Sequence, residues 1–554
     1  MTVPAAEPEG PQARSPHPAP DASEETYDLV VIGAGPAGLT AAVTAAELGL
    51  TVALVDSAAR PGGQYDRHPA PTLSAGRPPA PHHDGAPFAD LRRRLAASRT
   101  TTCLTEHHVW SVVREPDGTW TAHAVTGADG TDGRPARTRG RALLLATGAH
   151  ERHLPFPGWT LPGVVAAGGA QAMLSAGLVL PGRRVVVAGS GPLLLAVAAS
   201  LAAAGARIPA VVEAAGYLRY ARTPRTLAAN PRKAAEALTY GAALLRHRVP
   251  LHPRSAVTRV HGTERVEAVT VTRLGRDWRP LPGTGRRIAC DALAVGHGLV
   301  PQIELATAVG CATRTLADGT RGLALGAHQE TSVPGLWAAG EAGGVGGAEL
   351  ARTEGEMAAR AIAARLLGRR ADPERTALLR RRRDRLRAFA DAMAAAHAPG
   401  PGWTGWLTDD TDVCRCEEVT AGRVREAVTG LGARDPRTVK LLTRAGMGWC
   451  QGRMCGTAVA CLTSRGAPAP PPPDRRLLAV PVPLSALAAG EPRGTGLPAV
   501  REGLESPGTP LPAGTPLPPA DPLPPADPRP AGAQGAPGPP EAPPARHPHR
   551  RSTP

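Results

Sequence analysis

The chain carries two copies of one strand–helix–strand pattern, and this doubling constrains its fold more than any other feature. The first copy covers residues 27–57 and the second covers residues 183–214. In each copy an apolar strand ends in a glycine-rich turn, an Ala/Leu-rich helix follows, and a second strand ends in an acidic residue. Short strands alternating with helices are the pattern of a doubly wound parallel sheet. The sequence therefore predicts an α/β protein with two Rossmann-like three-layer domains.

The first turn contains a complete G-x-G-x-x-G fingerprint after a strand and at the start of a helix. Gly33 permits the tight turn, Gly35 lets a pyrophosphate approach the backbone, and Gly38 lets helix and strand pack closely. The helix N-terminus adds free N–H groups for phosphate. Asp56 ends the next strand, where it can accept hydrogen bonds from a ribose diol. We predict a dinucleotide site formed by Asp56 and the whole fingerprint: Gly33, Ala34, Gly35, Pro36, Ala37 and Gly38.

The second fingerprint is imperfect, since Leu194 stands where the third glycine belongs. A bulky side chain there should push helix and strand apart. Gly189 and Gly191 keep the first two glycine positions, and Glu213 ends the following strand. An acid at this position favours a ribose 2′-hydroxyl over a 2′-phosphate, so NAD(H) is the expected ligand if a nucleotide binds. The alternative is a scaffold domain whose nicotinamide site has decayed.

Four cysteines near residue 430 form the second chemical motif: Cys414, Cys416, Cys450 and Cys455. Their spacing is C-x-C followed by C-x₄-C. Four thiolates can hold an iron–sulfur cluster, which passes single electrons. Structural zinc also takes four thiolates but favours C-x₂₋₄-C spacing, and a disulfide pair is disfavoured without an export signal. We interpret the four cysteines as cluster ligands.

Charge and hydropathy exclude other classes of function. The net charge is +15, but arginine supplies nearly all of it along the whole chain, so we do not predict nucleic-acid binding. The densest run, residues 380–387, is interpreted as a solvated helix face, and the alternative is a docking patch for an acidic partner. No apolar run is long enough to span a bilayer, and the N-terminal residues lack the apolar core of a secretory signal. The expected location is the cytoplasm.

Composition divides the chain into segments. We predict a disordered N-terminus and a Pro/Ala/Gly-rich, largely disordered tail, in which the apolar island 477–488 can pack on the body. The full division is 1–25 disordered, 26–157 first part of the first nucleotide-binding domain, 158–297 second nucleotide-binding domain, 298–370 second part of the first, 371–408 helical linker, 409–465 cysteine domain and 466–554 tail. A Pro/His-rich insert at 67–87 is expected to be a surface loop.

Three further motifs resemble signatures of the two-dinucleotide-domain flavoprotein reductases, the pyridine nucleotide-disulfide reductase-like proteins. They are PGGQ with Gly63 and Gln64, ATG with Thr147 and Gly148, and the strand end GLWAAGEAGG with Gly340 and Glu341. The resemblance implies that the first dinucleotide is FAD, with these residues beside it. No C-x-x-C or C-x₄-C lies near them, which disfavours disulfide reductase chemistry. The following His150–His153 turn either lines the flavin pocket or is structural.

Taken together, these motifs and the cysteine region are similar to the FAD-containing large subunit of opine oxidases, hydrogen cyanide synthase and D-hydroxyproline or proline dehydrogenases. The cysteine region resembles the helical [2Fe-2S] domain of bacterioferritin-associated ferredoxins, with C-x₄-C in place of C-x₂-C. The resemblance implies an electron-transfer subunit of a heteromeric amine or amino acid dehydrogenase, whose partner is a D-amino-acid-oxidase-like flavoprotein subunit. Two alternatives stay open: a stand-alone NAD(P)H-dependent reductase and a non-catalytic assembly subunit. The sequence does not specify the substrate or the electron acceptor.

Overall fold

A computed structural model describes residues 26–69, 73, 85–127, 133–216, 219–220, 223–464 and 478–489. The predictions for residues 1–25, for most of the 67–87 insert and for most of the 466–554 tail lie outside the described residues. Residues 478–489 lie inside the predicted tail, but they are ordered against the body and contain a helix.

The elements are numbered along the chain. The strands are β1 Thr26–Ile32, β2 Val52–Val55, β3 Thr101–Leu104, β4 His107–Arg114, β5 Trp120–Thr126, β6 Pro135–Leu145, β7 Ala149–Glu151, β8 Val164–Ala166, β9 Val185–Gly189, β10 Val211–Glu213, β11 Leu251–Pro253, β12 Ser255–His261, β13 Ala268–Arg273, β14 Arg286–Ala289, β15 Ala292–Gly296, β16 Leu299–Pro301, β17 Thr313–Thr315, β18 Arg321–Leu323, β19 Leu336–Ala338, β20 Asp412–Cys414 and β21 Val419–Thr420. The α-helices are α1 Pro36–Glu47, α2 Gly85–Ala97, α3 Ala167–Gly177, α4 Leu193–Ala203, α5 Pro224–Ala228, α6 Pro231–Arg246, α7 Glu304–Ala308, α8 Ala348–Leu366, α9 Pro373–His397, α10 Ala421–Thr429, α11 Pro436–Thr443, α12 Gly456–Thr463 and α13 Leu484–Ala489. Among the described residues, Gly340–Gly343 and Pro401–Trp406 form 3₁₀ helices.

The first nucleotide-binding domain is built on a sheet of order β3-β2-β1-β6-β5-β4, with β19 on the far side of β6. Strand β1 pairs in parallel with β2 and β6, and all four residues of β2 are buried. Parallel strands that are buried on both faces have continuous apolar sequences, which explains the run VVI in β1 and the run VALV in β2. Helices α1 and α8 pack closely together on one face, since a Cβ added to Gly355 of α8 would lie 2.2 Å from the Ala37 carbonyl oxygen of α1.

The second domain repeats the theme with a parallel sheet of order β11-β10-β9-β15-β8. Helices α3 and α4 lie against it, with Leu194 only 1% exposed among Val185, Val197 and other aliphatic side chains. Leu194 is accommodated because α4 begins at residue 193, one position later than α1 does in the first fingerprint, and its first turn is a tightened one with Leu194 N–H donating to the Gly191 carbonyl. The second strand of this copy is short, since β10 covers only Val211–Glu213 and begins after Pro209.

The chain enters and leaves the second domain through one antiparallel pair, β7 with β16. The cysteine domain follows the long helix α9 and contains the short β20–β21 ladder and helices α10, α11 and α12. Its core joins Val413, Val424 and Val439 to the indoles of Trp403 and Trp406. Two α/β nucleotide-binding domains and one small, mostly helical domain confirm the predicted fold class. None of the described helices is long and apolar enough to cross a bilayer.

Candidate functional site

Three sequence-distant motifs meet at the first glycine-rich loop: the fingerprint itself, PGGQ and the ATG strand end. Gly33 has φ +104°, and a Cβ added to it would lie 2.3 Å from the Ala146 carbonyl oxygen. A Cβ added to Gly38 would lie 1.8 Å from the Gly33 carbonyl oxygen, so only glycine fits at either position. The PGGQ loop lies against the fingerprint, with Gly62 N–H donating to the Ala34 carbonyl at 2.9 Å. The glycine-rich loop therefore presents backbone without side chains, as the close approach of a pyrophosphate requires.

Asp56 and Gln64 border the same loop. One oxygen of Asp56 accepts the Ala34 N–H at 2.5 Å and the other accepts the Ala58 N–H at 2.7 Å. The carboxylate is therefore fixed at the end of β2, where a ribose diol would meet it. The exposed Gln64 side chain accepts a hydrogen bond from Arg67.

Two glutamates, the partly buried Glu341 and the buried Glu354, shape the end of β19. The Glu341 carboxylate accepts N–H groups of Gly346 and Gly347 at 2.8 and 3.0 Å, and burial raises its pKa. Glu354 on α8 accepts the Gly340 N–H at 3.0 Å and an Arg387 N–H at 2.6 Å. Glu341 thus holds the loop that precedes α8, while Glu354 and Arg387 hold the strand end itself.

The ATG motif lies at the crossing between domains. The Thr147 hydroxyl donates to the Gln302 carbonyl at 2.6 Å, and the Gly148 carbonyl accepts the Gln302 N–H at 3.0 Å. In the turn that follows, Glu151 accepts N–H groups of Gly168 and Gly169 at the start of α3. These contacts favour the structural reading of the 150–153 turn.

The four cysteines form two neighbouring pairs. Cys414 is hydrogen-bonded to Cys455, and Cys416 to Cys450. Cys414 and Cys455 are buried, whereas Cys416 is exposed. Within the described residues no three or more His, Cys, Asp or Glu side chains are grouped to hold a single metal ion. The cysteines lie in the structure as thiols in pairs, one pair inside and one at the surface.

Backbone donors surround the inner pair. The hydrogen bond with Cys455, together with N–H groups of Gly446, Glu417 and Cys416, lowers the pKa of Cys414 to about 5. The same thiol–thiol contact raises the pKa of Cys455. Glycine is needed beside the outer pair, because a Cβ on Gly448 would lie 2.3 Å from the Cys416 Cβ. Such N–H donors stabilise thiolate, the form in which cysteine binds metal.

The cysteine domain is joined directly to both nucleotide-binding domains. Trp159 donates its indole N–H to the carbonyl of Asp412, two residues before Cys414, at 2.7 Å. Arg453, inside the C-x₄-C loop, pairs with Glu304 of α7 at 3.0 Å. The cysteines therefore have a fixed position relative to the fingerprint loop.

At the second fingerprint, Glu213 accepts the Gly191 N–H at 3.1 Å, and the Gly189 turn packs against the Gly296 carbonyl. His397, at the end of α9, also reaches Glu213, with its Nδ1 3.5 Å from a carboxylate oxygen.

Comparison with known proteins identifies the family to which this arrangement belongs. Residues 27–362 match the pyridine nucleotide-disulphide oxidoreductases, and residues 413–462 match the BFD-like [2Fe-2S] binding domain. The chain belongs to the pyridine nucleotide-disulphide oxidoreductase family. Within this family it is a flavoprotein oxidoreductase with two cofactors, FAD and a [2Fe-2S] cluster.

Proteins similar to this chain include a subunit of a synthase and a subunit of an oxidase. Hydrogen cyanide synthase subunit HcnB of Pseudomonas aeruginosa is 35% identical over 438 residues, 77% of this chain and 90% of the relative. An opine oxidase subunit of Rhizobium meliloti is 36% identical over 450 residues, 79% of this chain and 92% of the relative. The fold of L-proline dehydrogenase from P. horikoshii is similar, with a TM-score of 0.59 at 21% identity over 84% of this chain and 79% of that one. These matches confirm the family resemblance of the sequence.

The residues present fit both cofactors. For FAD, the fit rests on the glycine contacts at Gly33 and Gly38, where any side chain would collide with backbone carbonyls and distort the loop. For the cluster, it rests on the donor set, because four thiols in two pairs match two irons that each take two thiolates.

Sequence reasoning missed Glu354, Arg387 and His397. Glu354 lies on α8 between Ala351 and Ala358, on the buried stripe of the helix. A carboxylate on an otherwise apolar stripe is a signal that could have identified it. No local pattern marks His397, whose partners are about two hundred residues away in the chain.

Proposed function

We propose that this chain is the electron-transfer subunit of a heteromeric dehydrogenase that oxidises a C–N bond of an opine, proline or related amino acid. The observation that carries the proposal is the fixed attachment of the paired cysteines to the flavoprotein fold, through Trp159 with Asp412 and Arg453 with Glu304. The names of the two relatives given above, a hydrogen cyanide synthase subunit and an opine oxidase subunit, support it. The proposed location is the cytoplasm.

In this proposal the chain's own residues hold and separate the two cofactors. Gly33, Gly35, Gly38 and Asp56 bind the FAD diphosphate and ribose, with Gly63, Gln64, Gly340 and Glu341 nearby. Cys414, Cys416, Cys450 and Cys455 ligate iron. When bound, FAD exchanges electrons in pairs and the cluster exchanges them singly, which lets a two-electron donor serve a one-electron acceptor.

The proposed donor is a separate flavoprotein subunit resembling D-amino acid oxidases. This chain has no C-x-x-C or C-x₄-C near the fingerprint to act as a redox disulfide, and all eight of its cysteines are free in the structure. The substrate would then be oxidised on the partner, while this chain removes the electrons.

Anaerobic reduction tests the proposal. The purified chain is mixed either with the partner flavoprotein plus an opine or proline, or with NADH alone, and the visible spectrum is recorded. We expect flavin and cluster bands to bleach with the partner and substrate and with dithionite. Bleaching by NADH alone, with no effect of the partner, would instead support a stand-alone reductase. Bands that only dithionite bleaches would support a non-catalytic assembly role.

A further inference from the structure

The two glycine-rich loops provide an internal comparison, because their acids are held in the same way. In each loop one carboxylate oxygen accepts an N–H of the glycine-rich turn and the other accepts the N–H two residues beyond the acid. The matched contacts are Asp56 with Ala34 and Ala58, and Glu213 with Gly191 and Ala215 at 3.1 and 2.8 Å. The backbone frame for a ribose and a pyrophosphate is therefore present twice.

The loops differ in access. Gly33, Gly35 and Asp56 are partly open to solvent, as a loop that receives a ligand from outside must be. In the second loop Gly189, Ser190 and Gly191 are all buried, and Glu213 is only 2% exposed. The same frame is thus open in the first domain and covered in the second.

The cover is the C-terminal end of helix α9, and its central side chain is His397. The His397 Nδ1 lies 3.5 Å from a Glu213 oxygen and 3.3 Å from the Ser190 hydroxyl, which also donates to the His397 carbonyl at 3.1 Å. On the other edge of the ring, Nε2 is hydrogen-bonded to the Tyr220 hydroxyl. Arg219 donates to the Ala396 carbonyl at 3.2 Å, so the helix end itself is fastened to the domain.

These contacts take the positions that a nucleotide would need. The imidazole lies against the carboxylate oxygen of Glu213 that would accept a ribose hydroxyl, and the Ser190 hydroxyl, at the tip of the loop, is already used. Space is nevertheless left beside Gly191, since a Cβ added to it would meet no heavy atom within 4 Å. The helix end therefore covers the loop without filling it.

We propose that His397 is a specificity-determining residue that closes the second fingerprint to pyridine nucleotides. The chain then cannot take electrons from NADH, and its flavin is reduced only through a partner subunit. This inference rests on the proposed function and deepens it, because it names the feature that selects the donor. It also explains how a nearly complete fingerprint can persist without its ligand: the loop binds a helix end of its own chain.

Binding of ADP-ribose, the redox-inactive part of NAD, tests the inference by titration calorimetry on the full chain. We expect no binding to the wild type up to about 1 mM, the upper end of ordinary substrate affinities. His397→Ala should bind at least about tenfold more tightly than this limit. The matched control is His261→Ala in the same domain, whose ring bonds Thr270 on the neighbouring strand and which should behave as the wild type.

Each other result overturns the inference. Equal binding by the wild type and His397→Ala would show that the helix end is no barrier, and absence of binding in both would show that something else closes the loop. If His397→Ala is poorly folded, Tyr220→Phe tests the same cover by removing one hydrogen bond, with weaker but measurable binding expected. Reduction of the flavin by partner and substrate, followed on the same preparation, tests the proposed function separately because it does not require the second loop.

Discussion

At the scale of single residues, the first fingerprint depends on glycines, because glycine has no Cβ. A Cβ at Gly33 would clash with the Ala146 carbonyl, and φ +104° is itself unfavourable for alanine. We expect Gly33→Ala to purify without flavin, as judged by its visible spectrum. Gly49→Ala is the control, because Gly49 has φ +95° but open space around it. That variant should lose about 1 kcal/mol of stability and keep its flavin; equal flavin loss in both would contradict the steric explanation.

The cysteines lead to a second prediction at this scale. Cys414→Ser removes one member of the inner pair, so iron content should fall to below about a tenth of the wild-type value while flavin content is unchanged. Cys461→Ser in α12 is the control, because Cys461 is a partly buried thiol outside the two pairs. Iron and acid-labile sulfide analysis measures both. Retention of the cluster in Cys414→Ser would remove this residue from the ligand set.

Residue-level prediction from sequence is possible where the chemistry is local. The glycines and the C-x-C pair are recognisable because residues so close in the sequence are also close in space, so that their spacing along the chain determines their relative positions. Glu354, Arg387 and His397 are not, because each acts through a helix that reaches its target only after the whole chain has folded. Thr147 shows the same limit: its position was evident, but its bond to the Gln302 carbonyl was not.

At the scale of elements, the segment 478–489 joins two domains. Ala479 is buried in the core of the first domain and donates its N–H to the Trp110 carbonyl at 2.8 Å. Its own carbonyl accepts Arg453 of the C-x₄-C loop at 2.7 Å. The segment therefore ties the cysteine loop to the outer strand β4. Composition correctly marked it as an apolar island, but not what it contacts.

Introducing a charged side chain at Ala479 tests the attachment of the 478–489 segment. Ala479→Asp buries a carboxylate in an apolar cluster, and we expect a loss of about 3 kcal/mol of unfolding free energy together with faster loss of iron in air. Ala488→Asp places the same charge at an exposed position of the same segment and should be within about 0.5 kcal/mol of the wild type. Chemical unfolding and the decay of cluster absorbance measure the two effects. Similar losses in both variants would indicate a general effect of charge.

At the scale of the whole molecule, His297 lies where the second domain meets the cysteine domain. It is buried beside Trp278 and Trp406, and burial, with a smaller contribution from Arg152, lowers its pKa to about 3. The unfolded chain protonates this histidine near pH 6.5, whereas the folded chain does not. Protons therefore favour the unfolded state as the pH falls from about 6.5 towards 3.

The expected result is a pH-dependent loss of stability that follows from this one group. Between pH 6.5 and 5.0, His297 should cost the wild type up to about 2 kcal/mol, at about 1.4 kcal/mol per pH unit. His297→Gln should show a correspondingly shallower dependence, even if it is less stable at pH 7. Unfolding in denaturant at several pH values gives both slopes, and parallel slopes would assign the acid sensitivity to other groups.

The paired strands β7 and β16 carry both chain crossings between the nucleotide-binding domains, side by side. The second domain is thus an insertion whose two ends lie next to each other. An inserted domain of this kind can be replaced or altered without disturbing the sheet of the first domain. Changes within the inserted domain therefore leave the first sheet undisturbed, provided that they spare residues such as Trp159 that hold the cysteine domain.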